Sequence, residues 1–279
     1  MDIILYNPLS RNGRNQKIVD KLTLRLEKEG HEVIVFNLLD LSIDFVDMLK
    51  EKPLDARVII VGGDGTLHRL VNYIQDKTIN QEIFLYRGGT GNDFARSLHT
   101  KEKLIPIKQY LFNLPYTNIN AKKHFFLNGV GLGLDGRVVY EVNETKGKKN
   151  KRNYFRKTMK TFFLFKPFKA RIKLNNEEHE FNKAWMVTVM NSKYFGGGMR
   201  IAPKASRDND DLYVIVVSKI PKVLLLLIFP IIYLGLHVYI KPFVKVYKTK
   251  ALEVEANIDT YAQLDGEHLF PVNKMEIKR

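Results

Sequence analysis

The run Val58-Ile59-Ile60-Val61-Gly62-Gly63-Asp64-Gly65-Thr66-Leu67-His68 constrains the fold more than any other stretch of the chain. Its β-branched residues predict a buried strand. The glycines that follow let the backbone take positive φ and pass close to a ligand, and Thr66 stands where a helix N-cap belongs. Free N–H groups and aligned peptide dipoles at such a helix start favour an anion. The stretch reads as a strand, a phosphate-holding turn and a helix.

A second stretch repeats the design. Ile83 to Arg87 predicts a strand, Gly88-Gly89-Thr90-Gly91-Asn92-Asp93 a glycine turn, and Phe94 to Leu98 the start of a helix. One such turn is weak evidence, because α/β folds also need glycine for tight packing. Two in tandem, facing one crevice at the strand ends of a sheet, point to a nucleotide. A dinucleotide fingerprint would need glycine at His68, and no Walker A element is present. The chain opens with the same pattern: strand 2–6, then the turn Asn7-Pro8-Leu9-Ser10-Arg11-Asn12-Gly13, then a helix running to Gly30, a plausible C′ residue. Ser10, Asn12 and Gly13 suit a rim of donors around phosphates. Strand and helix alternate through residue 111, which predicts a mostly parallel sheet covered on both faces.

After Pro115 the texture changes. Strand-like runs at 124–134, 170–174, 183–190, 212–217, 244–248, 251–258 and 260–264 follow with hardly any helical pattern between them, which predicts an all-β sandwich or barrel. We expect an α/β domain over 1–118 and a β domain over 119–279. The last strand, about Lys274 to Ile277, fits either domain.

The absence of cysteine removes disulfides, zinc fingers and thiol nucleophiles. Met1 to Tyr6 has no basic n-region or long apolar core, so the chain is expected inside the cell. A net charge of +15 predicts attraction to polyanions. Two segments indicate which kind. Between Lys146 and Lys169 basic residues interleave with aromatics that include Phe162 and Phe163, as in a helix lying in an anionic membrane surface or a strip that binds single-stranded nucleic acid. Val223 to Ile240 carries no charge and is flanked by lysines 219, 222, 241 and 245. At about 18 residues it would reach only the lower edge of a membrane span. Pro230, Gly235 and His237 argue instead for a kinked, exposed apolar element dipping into one leaflet, with Leu224, Leu226 and Phe229 facing lipid. Charge beside both apolar segments favours a bilayer over nucleic acid.

The second half holds four further polar clusters: Asn128 to Gly136, Asn191 to Pro203, Asp208-Asn209-Asp210-Asp211 and Leu264-Asp265-Gly266-Glu267. The third is an oxygen-rich turn suited to a hard cation such as Mg²⁺. In the fourth, Asp-Gly between two strand-like runs is first of all a hairpin signal.

Taken in order, Asn7-Pro8, Gly62 to Thr66, Gly89 to Arg96, Asp135, Gly196-Gly197-Gly198-Met199 with Ala202-Pro203, and Leu264 to Glu267 resemble the bacterial diacylglycerol kinase and related lipid kinases from about residue 2 to the C-terminus. Sphingosine and ceramide kinases share the pattern; NAD kinases share only the Gly-Gly-Asp-Gly turn. The resemblance implies a three-layer, NAD kinase-like nucleotide domain and a β-sandwich, with ATP and Mg²⁺ meeting a lipid hydroxyl in a cleft. It implies ATP contacts at Asn7, Pro8, Ser10, Gly13, Gly62, Gly63, Asp64, Gly65, Thr66, Gly89, Thr90 and Asn92. Asp265 would be the base, with Glu267 beside it, and Asp93 and Asp135 would support them. Related kinases commonly carry Asp-Gly where this chain has Asn209-Asp210, so either neighbouring carboxylates, Asp208 and Asp211, substitute for the usual metal ligands or the ion is lost. The expected partners are a lipid substrate and the anionic inner face of the membrane, bound peripherally, and no nucleic acid; a homodimer is compatible with the sequence. The rivals are a kinase of a soluble acceptor such as NAD and a non-enzymatic basic nucleic-acid binder.

Overall fold

A computed structural model describes residues 1–10, 13–40, 44–87, 92–144 and 159–279. The chain forms two units, Met1–Leu114 and Pro115–Arg279.

In the first unit, β1 (Asp2–Tyr6), β2 (Val33–Asn37), β3 (Arg57–Gly62), β4 (Glu82–Arg87) and β5 (Leu104–Pro106) form a sheet in the order β2-β1-β3-β4-β5. All pairs are parallel except β4 with β5. The central strands are apolar and fully buried, Ile3 to Leu5 and Val58 to Val61 being at most 1% exposed, as expected where helices cover both faces. Helix α1 (Asn15–Lys28) packs Val19, Leu22 and Leu26 onto Ile4, Ile59 and Val61. It ends as expected: Gly30 N–H bonds Glu27 O, and His31 N–H bonds Leu26 O, the pair that closes a Schellman cap. Helices α2 (Phe45–Lys50), α3 (Asp64–Ile74) and α4 (Asp93–Ser97) complete the unit.

The second unit is β-rich. Its strands are β6 (Tyr116–Ile119), β7 (Lys122–Phe125), β8 (Gly129–Gly133), β9 (Phe168–Leu174), β10 (Glu177–Met190), β11 (Leu212–Ser218), β12 (Val244–Thr249), β13 (Ala251–Leu264) and β14 (Glu267–Lys278). All pairs are antiparallel, in the order β12-β11-β10-β8-β13-β14-β6-β7. β8 and β9 both lie between β10 and β13. Strands that long follow two partners by bending, and each has an irregularity where it does so, at Phe181/Ala184 and at Glu255/Thr260.

The structure refines three points. The run 124–134 breaks at Phe126 to Asn128 into β7 and β8. The unit is the expected β-rich one and also carries a helix: α5 (Leu134–Asn143) follows β8 directly, because Gly133, at φ 113°, turns the chain out of the sheet. The last strand stays in the second sheet, between β13 and β6.

Candidate active site

The sheet order of the first unit explains why two of its turns meet. β1 is flanked by β2 on one side and β3 on the other, and from β3 the order runs away to β4. The connections therefore diverge between β1 and β3, the place where open α/β sheets hold ligands beyond the strand ends. The turn after β1 is folded by Asn7, whose side-chain oxygen accepts from Leu9 N–H at 2.9 Å. The turn after β3 enters α3 at Gly63. Ser10 Oγ and Thr66 Oγ1 lie 3.1 Å apart, joining the two turns. A Cβ on Gly62 would stand 2.5 Å from the Thr66 side chain, so glycine is what lets the chain pass there. Sequence reasoning missed Asn15, which is fully buried and donates from Nδ2 to the carbonyls of Asn7 and Val61, both at 2.9 Å.

Thr66 is not the N-cap. It sits in the first turn of α3, with Gly63 as the cap residue, because two successive glycines carry the chain into the helix before Thr66 is reached. Asp64, expected among the ATP contacts, is half-buried at the first residue of α3. Its carboxylate accepts from the N–H groups of Asp93 and Phe94, both at 2.9 Å, and so ties the first glycine turn to the start of α4. Asn92, at φ 24°, leads into that helix and Asp93 is 4% exposed. Gly89 and Thr90 lie outside the described residues.

Beside these turns is a cavity of about 470 Å³ lined by Asn7, Phe36, Leu38, Phe45, Thr66 and Tyr73 among others. Phe36, Phe45 and Tyr73 form a ladder with ring centroids 6.4 and 5.2 Å apart. On its wall Lys77 Nζ meets Asp44 Oδ2 at 2.5 Å and lies 3.8 Å from the centre of the Tyr73 ring. The Lys77 ammonium and the Tyr73 hydroxyl hold the Asp44 carboxyl well below the usual carboxylate range. Apolar faces beside a polar rim at this volume suit a flat heteroaromatic ligand. No motif marks these residues; they converge from β2, α2 and α3.

In the second unit Asp265 and Gly266, at φ 48° and 93°, form the two-residue turn between β13 and β14, with Leu264 opposite Glu267. Positive φ at both positions is the type I′ pattern that Asp-Gly prefers. Asp265 is 7% exposed, and its carboxylate accepts from the N–H groups of Leu127, Asn128 and Gly129 at 2.6, 2.7 and 3.1 Å. Asn191 Nδ2 donates to Leu127 O, and Ser192 Oγ to Asn128 Oδ1. Arg207 donates to Leu127 O and Asn128 Oδ1. Three of the four polar clusters named from sequence are thus one network. Arg207, one residue ahead of the oxygen-rich turn at 208–211, brings a cation into it. Glu267 is half-buried at the start of β14.

Asp135, at the first turn of α5, accepts from Thr188 Oγ1 at 3.0 Å and from Gly136 N–H at 2.9 Å. Its carboxylate occupies the space a side chain at Gly131 would need, the built Cβ falling 1.6 Å from Oδ2. Burial pushes its pKa up to about 6 against those donors.

The expected metal turn does not assemble. Asp208 accepts from Ser206 Oγ, Asp210 from Arg279 Nε, and Asp211 pairs with Lys248 Nζ at 2.7 Å. The carboxylates diverge to separate partners, and no group of three or more metal-ligating side chains occurs among the described residues. Asp208 and Asp211 do not fit a cation site. The lipid-facing residues also need correction. Phe162 is a core residue, 5% exposed and edge-on to Phe229 at 5.4 Å. Leu224, Leu226 and Phe229 are half-buried against the same core. The helix Lys222–Ile228 puts Leu225 and Ile228 inside, so Val223 and Leu227 point outward instead. Phe163 is exposed as expected.

A glycine turn at the switch point of a parallel sheet, together with a buried acid network in a β-rich unit, fits the class of a two-unit nucleotide-using transferase. Residues 3–113 match the diacylglycerol kinase catalytic domain and residues 128–276 the YegS C-terminal NAD kinase beta sandwich-like domain, and the chain belongs to this diacylglycerol and lipid kinase family of phosphotransferases. It is 28% identical over 187 residues to the putative lipid kinase YtlR of Bacillus subtilis, an alignment spanning 59% of each chain. It is 24% identical over 285 residues to a diacylglycerol kinase of Staphylococcus haemolyticus, covering 99% of this chain and 85% of that one. A solved structure of a putative diacylglycerol kinase from Bacillus anthracis shares the fold, with a TM-score of 0.66 at 21% identity, over 100% of this chain and 94% of the other.

Proposed function

We propose that the chain is an ATP-dependent lipid kinase that transfers the γ-phosphoryl group of ATP to a free hydroxyl of diacylglycerol, giving phosphatidic acid and ADP. The observation that carries this reading is the pairing of the Ser10 and Thr66 hydroxyls beside the aromatic cavity, at the point where the strand order diverges. The phosphates are assigned to Ser10, Gly62, Gly63, Gly65 and Thr66, with Asn7, Pro8 and Gly13 shaping the first turn, and the adenine to the Phe36–Phe45–Tyr73 cavity. Phosphoryl transfer needs positioning, charge neutralisation and a carboxylate near the nucleophile. That carboxylate is assigned to Asp265, which takes the proton as the acceptor oxygen bonds to phosphorus and the bond to ADP breaks. Glu267 orients it, and Asp135 holds the start of α5 under the same network. Mg²⁺ is expected to arrive on the nucleotide phosphates with waters completing its shell; the turn at 208–211 has no part in this. Action on a membrane lipid implies peripheral attachment to the anionic cytoplasmic leaflet.

The test is transfer of labelled phosphate from ATP across a panel of lipids and soluble alcohols. Label in phosphatidic acid supports the reading. Label in a water-soluble nucleotide product would transfer the chain to the NAD kinase side, and no label in any acceptor would refute the enzyme.

A further inference from the structure

From Leu212 to Leu252 the chain contains no acidic residue and six lysines, at 219, 222, 241, 245, 248 and 250. Within it, the helix Lys222–Ile228 passes into 3₁₀ turns at Phe229–Leu234 and Leu236–Tyr239, with Pro230 at the first break and Gly235 in the left-handed region at the second. No helix of the described residues is long and apolar enough to cross a membrane. One side of this kinked element is pinned. Leu225 and Ile228 are in the core, and Arg200 N–H bonds Ile232 O. Gly235 sits so tightly on Pro203 that a Cβ would come within 2.6 Å of its ring. The His237 ring, 3% exposed, donates from Nε2 to Ile201 O at 3.1 Å.

Pinning one side forces the other outward. Val223 and Leu227, one helical turn apart, are 70% and 69% exposed, and Leu234, Leu236 and Tyr239 are 63%, 49% and 66% exposed. Phe163 adjoins them, its carbonyl accepting from Lys222 Nζ at 2.7 Å. Exposed apolar side chains gathered on one short element mark an interaction site. We infer that the outward face of 222–240 docks on an anionic lipid bilayer. Lysines 219, 241 and 245 are exposed and border the apolar residues, the arrangement that lets apolar side chains enter the acyl boundary while cations stay at the headgroups. A second copy of the chain is the poorer partner, because two such faces would set lysine against lysine with no acid in the stretch to answer it. The inference stands apart from the catalytic reading, since docking needs no ATP.

The full chain is sedimented with phosphatidylcholine vesicles, with and without phosphatidylglycerol. It binds the anionic vesicles, and Leu227→Glu with Leu234→Glu weakens binding about tenfold or more, while the melting curve stays in place because neither side chain packs inside. Lys241→Gln with Lys245→Gln lowers affinity roughly fivefold per lysine and flattens the salt dependence. Leu54→Glu, an equally exposed leucine in the first unit, changes nothing. Unchanged vesicle binding by the leucine double variant overturns the inference. So does a wild-type dimer that this variant splits while vesicle affinity persists. A chain that binds vesicles but phosphorylates no acceptor would refute the kinase reading alone.

Discussion

A carboxylate that accepts three backbone N–H groups, as Asp265 does from Leu127, Asn128 and Gly129, cannot become an amide without losing acceptors, because asparagine offers one oxygen and turns N–H donors toward donors. Asp265→Asn is therefore expected to lose roughly 10²–10⁴ in turnover and also about 1–3 kcal/mol of stability. Activity must be measured below the variant's own melting temperature, and retained turnover there would remove Asp265 as the base. Asp135 and His237 make a second pair of residue-level expectations. The folded pKa of Asp135 is about 6 and its unfolded value about 3.9, so between these the native state holds the extra proton and stability falls as pH rises. Burial lowers His237 to about 4 from about 6.5, so there the unfolded chain holds the extra proton and stability rises with pH. The two slopes oppose each other. Asp135→Asn removes the opposing slope, so its unfolding free energy should fall more steeply than the unsubstituted chain's between pH 6.5 and 4, read from urea melts across that range. Residue types in fixed order were enough to name Asp265 and Asp135. Asn15 and Arg207 were not legible, since each acts through backbone carbonyls that only the fold brings within reach.

At the scale of elements, the strand, turn and helix units of the first half were readable because β-branched runs, glycines and helical periods mark them locally. Their order in the sheet was not, and that order is what sets the Asn7 turn against the Gly62 turn. Thr66→Val removes the hydroxyl facing Ser10 while keeping the shape, and should weaken ATP binding roughly tenfold or more, the scale of a hydrogen bond to a charged group, with little change in melting. Calorimetric titration with ATP checks this. At the opposite ends of the same strands, Arg57 forms a bidentate pair with Asp2 at 2.6 and 2.7 Å, and Asp2 is fully buried. Arg57→Met leaves that carboxylate in the interior without its guanidinium and should cost about 3–5 kcal/mol, measured by denaturant unfolding. In the second half, alternation located most strands, but a strand that changes partners midway carries no local mark. Residues 251–258 and 260–264 therefore read as two runs where the chain has one strand.

At the scale of the whole molecule, each unit closes its own core, with Ile4, Val19, Ile59 and Val61 in the first and Val130, Val187, Val214 and Met275 in the second. A fragment ending at Leu114 is expected to fold alone and to bind ATP without turnover, which circular dichroism and titration would verify. Composition spoke clearly at this scale, since a charge of +15 beside an uncharged apolar stretch already suggested a bilayer. It pointed to Leu224, Leu226 and Phe229, which are half-buried, and not to the exposed Val223 and Leu227, because which leucine faces out depends on where the element is fastened. The irregular pairing of β13 with β14 between Glu255 and Thr260 has a further consequence. With the second irregularity between Thr260 and Ala262, it acts as slack in the hairpin. An alanine inserted ahead of it, after Glu253, would be taken up there and leave the tip undisturbed. The same insertion after Ala262 would have no slack beyond it, and would rotate the Asp265 carboxylate to the opposite face.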